Sequence, residues 1–530
     1  MPILLFLNRF LSPDLAFDSL NYHLFLGHRF LTFTSFMNRE FYPTAIHNFP
    51  GLIDFPSFFL YQILGYRLSS LPSLISIIGI MLITYFYLDK SHKQMRTPLS
   101  LAYLSFFLMV FVHEALFQVA TLMVDNLSAL LLFAGLAVFV HRKKTKDIYL
   151  AGVFLGISIY WKFTNLYLLF LVLPFFGLQL IRNPNHFKKN IKSLIIFFLL
   201  LCSPFFFFWN IPQALETNNP VFPFYNQIFR SQYFPEKNFT VSIFGPEHPL
   251  ESISWPFYSV LNPVRLGETH DWFHDFRLPL LLALLFVVYF STNKDRFVHE
   301  LFLTSILLTV SWSLTSGYAR YFVAGEYFIA ASATWLLAKS HNIKRVYLML
   351  LIVLLAILSY LSFRLFYQNT LFDLSWREPF RVSPNLHLAQ LPYLFEKKVQ
   401  IPEPPTQPKI YLNCTAPSAS LYVLSPFTDL PVMNVNLTVY KEVTENCSYA
   451  KKVVEMISQK VDNPQSVPFV TMAIDHIHQQ GGYDCLNTID TIKGTVTNNN
   501  TYPFLYHPKN QLQVIYGELS LNEYVKHACD

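Results

Sequence analysis

In the stretch DNLSALLLFAGLAVFVHRKKTKD, residues 125–147, an acid and an amide open an apolar run that a dense basic cluster closes. A helix rises ~1.5 Å per residue, so about 20 apolar residues cross the ~30 Å hydrocarbon core of a bilayer. The run at 124–141 approaches that length, and the Lys and Arg beyond it mark a cytoplasmic loop by the positive-inside rule. At its other end stands Asp125, in a position where charge is costly unless it is solvated or paired.

The same alternation runs along the chain. Apolar runs lie near 70–88, 98–113, 124–141, 148–163, 164–181, 192–210, 277–292, 299–314, 321–338 and 345–366. Basic clusters fall at every second loop: DKSHKQMR (89–96), HRKKTKD (141–147), RNPNHFKKNIK (182–192), NKDR (293–296) and KSHNIKR (339–345). Composition agrees, since 530 residues that are 53% hydrophobic, 17% aromatic and 14% charged exclude an ordinary soluble enzyme. The net charge of +6 is spread over these loops instead of forming one basic face, which excludes a nucleic-acid binder.

By alternation the first loop (13–69), residues 114–123, the long loop 211–276, SGYAR at 316–320 and the tail from 367 are external. A cytoplasmic N-terminus and an external C-terminus need an odd number of crossings. Residues 2–12 would cover only about 17 Å as helix, so we expect about 11 spans with the first truncated. The segment PGLIDFPSFFLYQILGY (50–66) is apolar, but the charge alternation argues against a crossing. Pro50, Asp54 and Pro56 suit a helix lying on the interface.

The tail changes character. After the extended hinge PEPPTQP (402–408), KIYLNC, LYVLS, VMNVN, FVTMAI and LQVIYGEL read as strands and YAKKVVEMISQK (449–460) as an amphipathic helix. Four of the five cysteines, Cys414, Cys447, Cys485 and Cys529, lie there, an even number suited to two disulfides in an oxidising compartment with connectivity open. Cys202, within an apolar run, reads as a core residue. The chain thus divides into a helical transmembrane domain (1–366) and an extracytoplasmic, disulfide-bonded α/β domain (367–530).

Six segments then carry a resemblance: FDSLNYHL (17–24), YPTAIHNFPGLIDFPSFFLYQILG (42–65), VATLMVDNLSALLLF (119–133), AGVFLGISIYWKFTNLYLLFL (151–171), SPFFFFWNIPQALETNNPVFPFYNQIF (203–229) and SGYARYFVAGEYF (316–328). In this order the chain resembles the GT-C superfamily of integral-membrane glycosyltransferases, in the bacterial branch similar to the protein-mannosyltransferase and aminoarabinose-transferase families. The resemblance covers roughly residues 5–340. It departs at Asn218, where the family has Gly, and in WNIP, which lacks the family's Arg before Asn.

The resemblance implies inverting transfer of a sugar from a polyprenyl-phosphate donor to an extracytoplasmic lipid, glycan or protein, at the outer face of a bacterial inner membrane; no cofactor is expected, and no metal site reads from the residues. Such a reaction needs a carboxylate as general base and cations on the departing phosphate. Asp18 is the candidate base; it equally reads as the N-cap of a helix starting at Ser19, and the two roles are compatible. Asp125 is the second candidate acid, either serving the site or pairing with a cation. Lys162 and Arg320, near the outer ends of apolar runs, are candidates for the donor phosphate. Tyr22 and His23 are candidate substrate contacts or interfacial anchors. His270, Asp271, His274 and Asp275 match no standard metal spacing, and no Walker, Rossmann, zincin or nucleophile-elbow motif occurs. A transporter or flippase of lipid-linked glycans and a non-enzymatic membrane scaffold remain the alternatives; the first predicts internal repeats, and none is evident.

Overall fold

The structure, a computed structural model, describes residues 3, 6, 23–31, 52–92, 118–119, 122–181, 187–222, 224–237, 244–267 and 276–339. In the tail it describes 406–414, 427, 430–434, 446–459, 461, 465–474, 489–490, 494–503 and 511–529. The apolar runs expected at 98–113 and 345–366, the strand expected at LYVLS, and most of the partial span 2–12 lie outside these residues.

The membrane part is helical. Helices α1 (Leu24–Leu31) and α2 (Phe55–Leu64) pack on each other, and α2 falls where the interfacial helix is expected. Its ten residues reach about 15 Å, too short to cross a bilayer. There follow α3 (Leu71–His92), α4 (Asp125–Val140), α5 (Thr145–Trp161), α6 (Thr164–Leu169), α7 (Val172–Ile181), α8 (Phe187–Phe205), α9 (Ile211–Thr217), α10 (Pro249–Tyr258), α11 (Arg277–Phe290), α12 (Arg296–Thr315) and α13 (Val323–Lys339). Four helical stretches among the described residues, Leu71–Leu88, Asn190–Leu215, Arg296–Thr315 and Ala319–Lys339, are long and apolar enough to cross a membrane.

Two expected spans differ in detail. The run 164–181 is split into α6 and α7, because the Leu171 amide leaves the helical ladder for the Ser311 hydroxyl of α12, 3.0 Å away. The run 192–210 instead extends beyond its expected end. Pro204 lacks the N–H for a regular bond, the ladder widens to a π-helical turn at Phe206–Asn210, and α9 continues the axis.

Helix α13 is the centre of the bundle, with every residue from Val323 to Ala338 buried against α3, α4, α11 and α12. Its Ala, Ser, Thr and Gly side chains let neighbouring backbones approach closely, the means by which helices associate where no water drives them together. The same device joins α5 to α8: a Cβ built on Gly156 would stand 2.5 Å from the Leu201 carbonyl oxygen, and one on Gly152 3.0 Å from that of Phe197.

Charge is segregated between the two ends of the bundle. At one end Arg142 holds Glu300 through two hydrogen bonds of 2.8 and 3.1 Å, Arg296 adds a third at 2.7 Å, and Lys339 meets Asp295 at 2.6 Å. These residues belong to or border three of the basic clusters. Asp125, Lys162 and the turn bearing Arg320 lie at the opposite termini of α4, α5 and α12.

The tail is a mixed sheet of β1 (Ile410–Asn413), β2 (Val432–Asn434), β3 (Val467–Ile474), β4 (Thr495–Pro503) and β5 (Gln511–Leu519), in the order β2-β1-β3-β5-β4. Strand β1 runs parallel to β2 and β3, while β5 is antiparallel to β3 and β4. Helices α14 (Cys447–Ser458) and α15 (Leu521–Cys529) are joined by the Cys447–Cys529 disulfide. Cys414 is buried against Thr471, and Cys485 lies outside the described residues. Cys202 is exposed on α8, contrary to its expected place in the core, because the helix turns that face away from the bundle. The tail's core also takes in Phe222 and Phe234 from the long loop 211–276.

Replacing Gly156 with Ala must push α5 off the α8 backbone, since no flexible side chain there can yield. We expect a loss of roughly 1–3 kcal/mol, read as a lower midpoint in thermal unfolding of the detergent-solubilised protein, with Gly177→Ala unaffected because the nearest atom to its Cβ is 3.7 Å away.

Candidate active site

Asp125 is the first helical residue of α4 and is 3% exposed. The N-terminal end of a helix is favourable for a carboxylate, but burial still demands a counter-charge. Two are supplied. Lys162 ends α5, where its amide closes the last turn on the Ser158 carbonyl and the backbone becomes extended; its ammonium ion-pairs with Asp125 Oδ1. Arg320, 7% exposed, donates from Nε to Asp125 Oδ2 at 2.9 Å. The Lys162 ammonium also stands 5.0 Å over the ring of Tyr321, a cation–π contact that holds the amine without neutralising it.

Arg320 reaches this point because the turn before it is pinned. Gly317 adopts φ +58° where a Cβ would strike Trp255 and Gly245. The indole of Trp255 donates to the Gly317 carbonyl and that of Trp312 to the Tyr318 carbonyl, both at 2.8 Å, while Phe244 stacks on Tyr318 at 4.2 Å. Trp255 is in turn seated by Arg265, which donates to the Gly245 carbonyl and to both oxygens of Glu251. The segment 244–267 therefore fixes the backbone from which Arg320 projects.

Asp125, Lys162, Arg320 and Tyr321 line a small cleft with Ser128 and Asn165. Asn165 donates to the Ser128 hydroxyl at 2.7 Å and to the Ser158 carbonyl at 3.0 Å, tying α6 to α4 and α5. Beside Asp125, Asn126 accepts from the Tyr327 hydroxyl, donates from its side chain to Ser73 and from its backbone amide to the Gln118 side-chain carbonyl.

A buried polar pair stands nearby. His23 Nδ1 and Asp54 Oδ1 are 2.5 Å apart, both buried, His23 just ahead of α1 and Asp54 at the cap of α2. Burial raises the Asp54 carboxyl above its ordinary value, against the downward pull of His23 and, more weakly, of Lys162. His23 thus has the Asp54 side chain as a buried partner.

Three residues singled out from sequence, Asp125, Lys162 and Arg320, converge in one cleft. Asp18, Tyr22 and Cys485 lie outside the described residues, as do His270, Asp271, His274 and Asp275. Sequence reasoning passed over Asn165, Tyr321 and the pairing of Asp54. The signal for Asn165 was a polar pair, Thr164–Asn165, inside an otherwise apolar run. Asp54 was visible as a lone acid before a Phe-Pro helix start, but its partner lies 31 residues away.

Two cations directed at one buried carboxylate make a cleft suited to anions, because an incoming phosphate can share the same donors. With this geometry described, the likeness to known structures can be stated. The chain has the fold of ArnT from Cupriavidus metallidurans, whose structures include one bound to undecaprenyl phosphate and one in the apo state. Each superposes with a TM-score of 0.54 at 11% identity, over 97% of this chain and 96% of the other. The likeness is one of fold, and it spans the helical bundle and the tail together. No family model matches the sequence, and no curated protein matches it.

If Asp125 is the anchor of the cation pair, Asp125→Asn leaves the buried Arg320 and the half-buried Lys162 unneutralised and lowers stability by roughly 3–5 kcal/mol. The double variant Asp125→Asn/Arg320→Gln is expected to recover part of that loss in thermal unfolding; simple additivity of the two single losses would show that the pair does not act as a unit.

Proposed function

We propose that the protein is an inverting glycosyltransferase that moves a sugar from a polyprenyl-phosphate donor to an acceptor outside the cytoplasm, at the outer face of the membrane. The observation that carries this reading is the convergence of Lys162 and Arg320 on Asp125 in a cleft at the end of the bundle opposite the basic clusters. A fold in which ArnT binds undecaprenyl phosphate supports it at the level of the lipid carrier.

In this reading Lys162 and Arg320 bind the phosphate that links lipid to sugar. As the glycosidic C–O bond breaks, negative charge grows on that phosphate, and pre-positioned cations stabilise it without reorganisation. Asp125 holds both side chains at the correct level before the donor arrives, and Tyr321 confines the ammonium. Asp18, in the first external loop, takes the proton of the acceptor hydroxyl or amine as that group attacks the anomeric carbon from the face opposite the phosphate, which inverts it. Tyr22 and His23 contact donor or acceptor, with Asp54 holding the His23 ring.

Titration with undecaprenyl phosphate separates these roles. Lys162→Ala and Arg320→Gln are each expected to weaken binding about tenfold or more, the scale of one charge-assisted hydrogen bond. Asp18→Asn is expected to leave that affinity unchanged and to abolish the change in surface glycans or lipids that mass spectrometry detects between cells with and without the gene. Retained transfer in Asp18→Asn would remove it as the base.

A further inference from the structure

The long loop holds an unusual concentration of backbone strain. Among the described residues, every non-glycine residue with positive φ lies in it: Asn218 (57°), Tyr225 (53°) and Arg230 (53°). Such conformations persist only where the surroundings over-determine them, and they cluster where geometry matters to function. Here the surroundings are two buried asparagines. Asn219 accepts from the Val221 amide and donates to the Phe224 carbonyl and to Asn226. Asn226 receives the Ser231 amide at 2.8 Å and donates to the carbonyls of Ser231, Phe234 and Pro235. Asn210 adds a bond to the Pro220 carbonyl at 2.8 Å.

This stiffened loop touches two places. On one side Phe222, 1% exposed, and Phe234 are members of the tail domain's core, in one cluster with Leu412, Tyr449, Leu521 and Tyr524. On the other side Phe224 packs on Phe163 with ring centroids 5.4 Å apart, and the Tyr225 side chain hydrogen-bonds to Tyr167. Phe163 is the residue after Lys162, and it is boxed further by Phe205 at 5.4 Å and Trp209 at 5.5 Å. The turn itself is closed by the Asn165 and Leu166 amides on the Lys162 and Phe163 carbonyls, both 2.9 Å.

We infer that the C-terminal domain positions Lys162. By holding Phe222 and Phe234 in its core it fixes the 217–235 loop, whose Phe224 and Tyr225 lock the Phe163–Tyr167 turn that presents the ammonium to Asp125. Phe222, Phe224 and Tyr225 are positioning residues in this arrangement, and the domain is part of the catalytic unit instead of an appendage for acceptor capture. The functional consequence rests on the reading of Lys162 as a donor-phosphate ligand; the mechanical coupling does not.

Two measurements on the full-length protein in detergent or nanodiscs separate the coupling from that reading. The first is amide hydrogen exchange in Phe222→Ala. Peptides covering 161–169 are expected to exchange faster than in the parent, while those over α13 and over β3 and β5 keep their protection. Unchanged exchange at 161–169 overturns the inference, whatever happens in the loop, and so does a uniform rise throughout the chain. If Phe222→Ala does not fold, Phe222→Leu, which keeps an apolar side chain in the cluster, is read the same way. The second is titration with undecaprenyl phosphate, where Phe222→Ala is expected to weaken binding by about fivefold or more, the usual lower range of coupling between distant sites. Unaltered affinity alongside faster exchange overturns the positioning of Lys162. If the parent protein itself does not bind undecaprenyl phosphate, the donor reading fails, and the exchange result alone decides the coupling.

Discussion

A carboxylate buried between two cations is the constraint on which the rest of the structure depends. Asp125 is nearly sealed from solvent, and a charge in that position is tolerable only when its partners arrive with good geometry. The partners come from the far end of α5 and from the turn ahead of α13, the latter 195 residues away in sequence. Three helix termini must therefore meet at one level, and the glycine-lined contact of α5 with α8 and the small-residue face of α13 are what permit it. Such a triad is weak as a source of net stability but costly when incomplete, so it selects one arrangement of helices over its neighbours.

The segments outside the bundle serve the same end. Arg265, Glu251 and Trp255 tie the 244–267 segment to the Gly317 turn, so that Arg320 leaves a rigid backbone. The asparagine network of the 217–235 loop does the corresponding work beside Lys162. Each segment contacts the bundle beside one of the cations through aromatic rings, which bury much area with few rotatable bonds. The His23–Asp54 pair adds a buried polar contact between the starts of α1 and α2.

Legibility in the sequence varied with the range of the interaction. Apolar run length and basic clusters placed the long helices of the bundle, α3, α4, α5, α8, α11, α12 and α13, because both are local properties read by the bilayer itself, whereas α1, α9, α10 and α15 were not expected. The break between α6 and α7 was not legible, since it arises from a hydroxyl on α12 taking the Leu171 amide. Strand β4, with three consecutive asparagines, shows no hydrophobic alternation; it exists as an edge strand paired along β5. Asn218, which departs from the glycine of the resembling family, adopts φ 57°, and asparagine is the non-glycine residue most at ease there. The departure thus preserves the backbone conformation that a glycine would allow.

By itself the sequence determined the helical membrane class, the alternation of charged loops, the disulfide-bearing α/β tail and the identity of three residues that line the cleft. Each of these follows from residue type and spacing within one or two elements. Only the tertiary structure decided that Lys162 and Arg320 share one carboxylate, that Asp54 belongs to His23, and that Phe222 is part of the tail's core. Those pairings join residues far apart in the chain, and which charge meets which is set by how helices and loops pack, a property no local pattern contains.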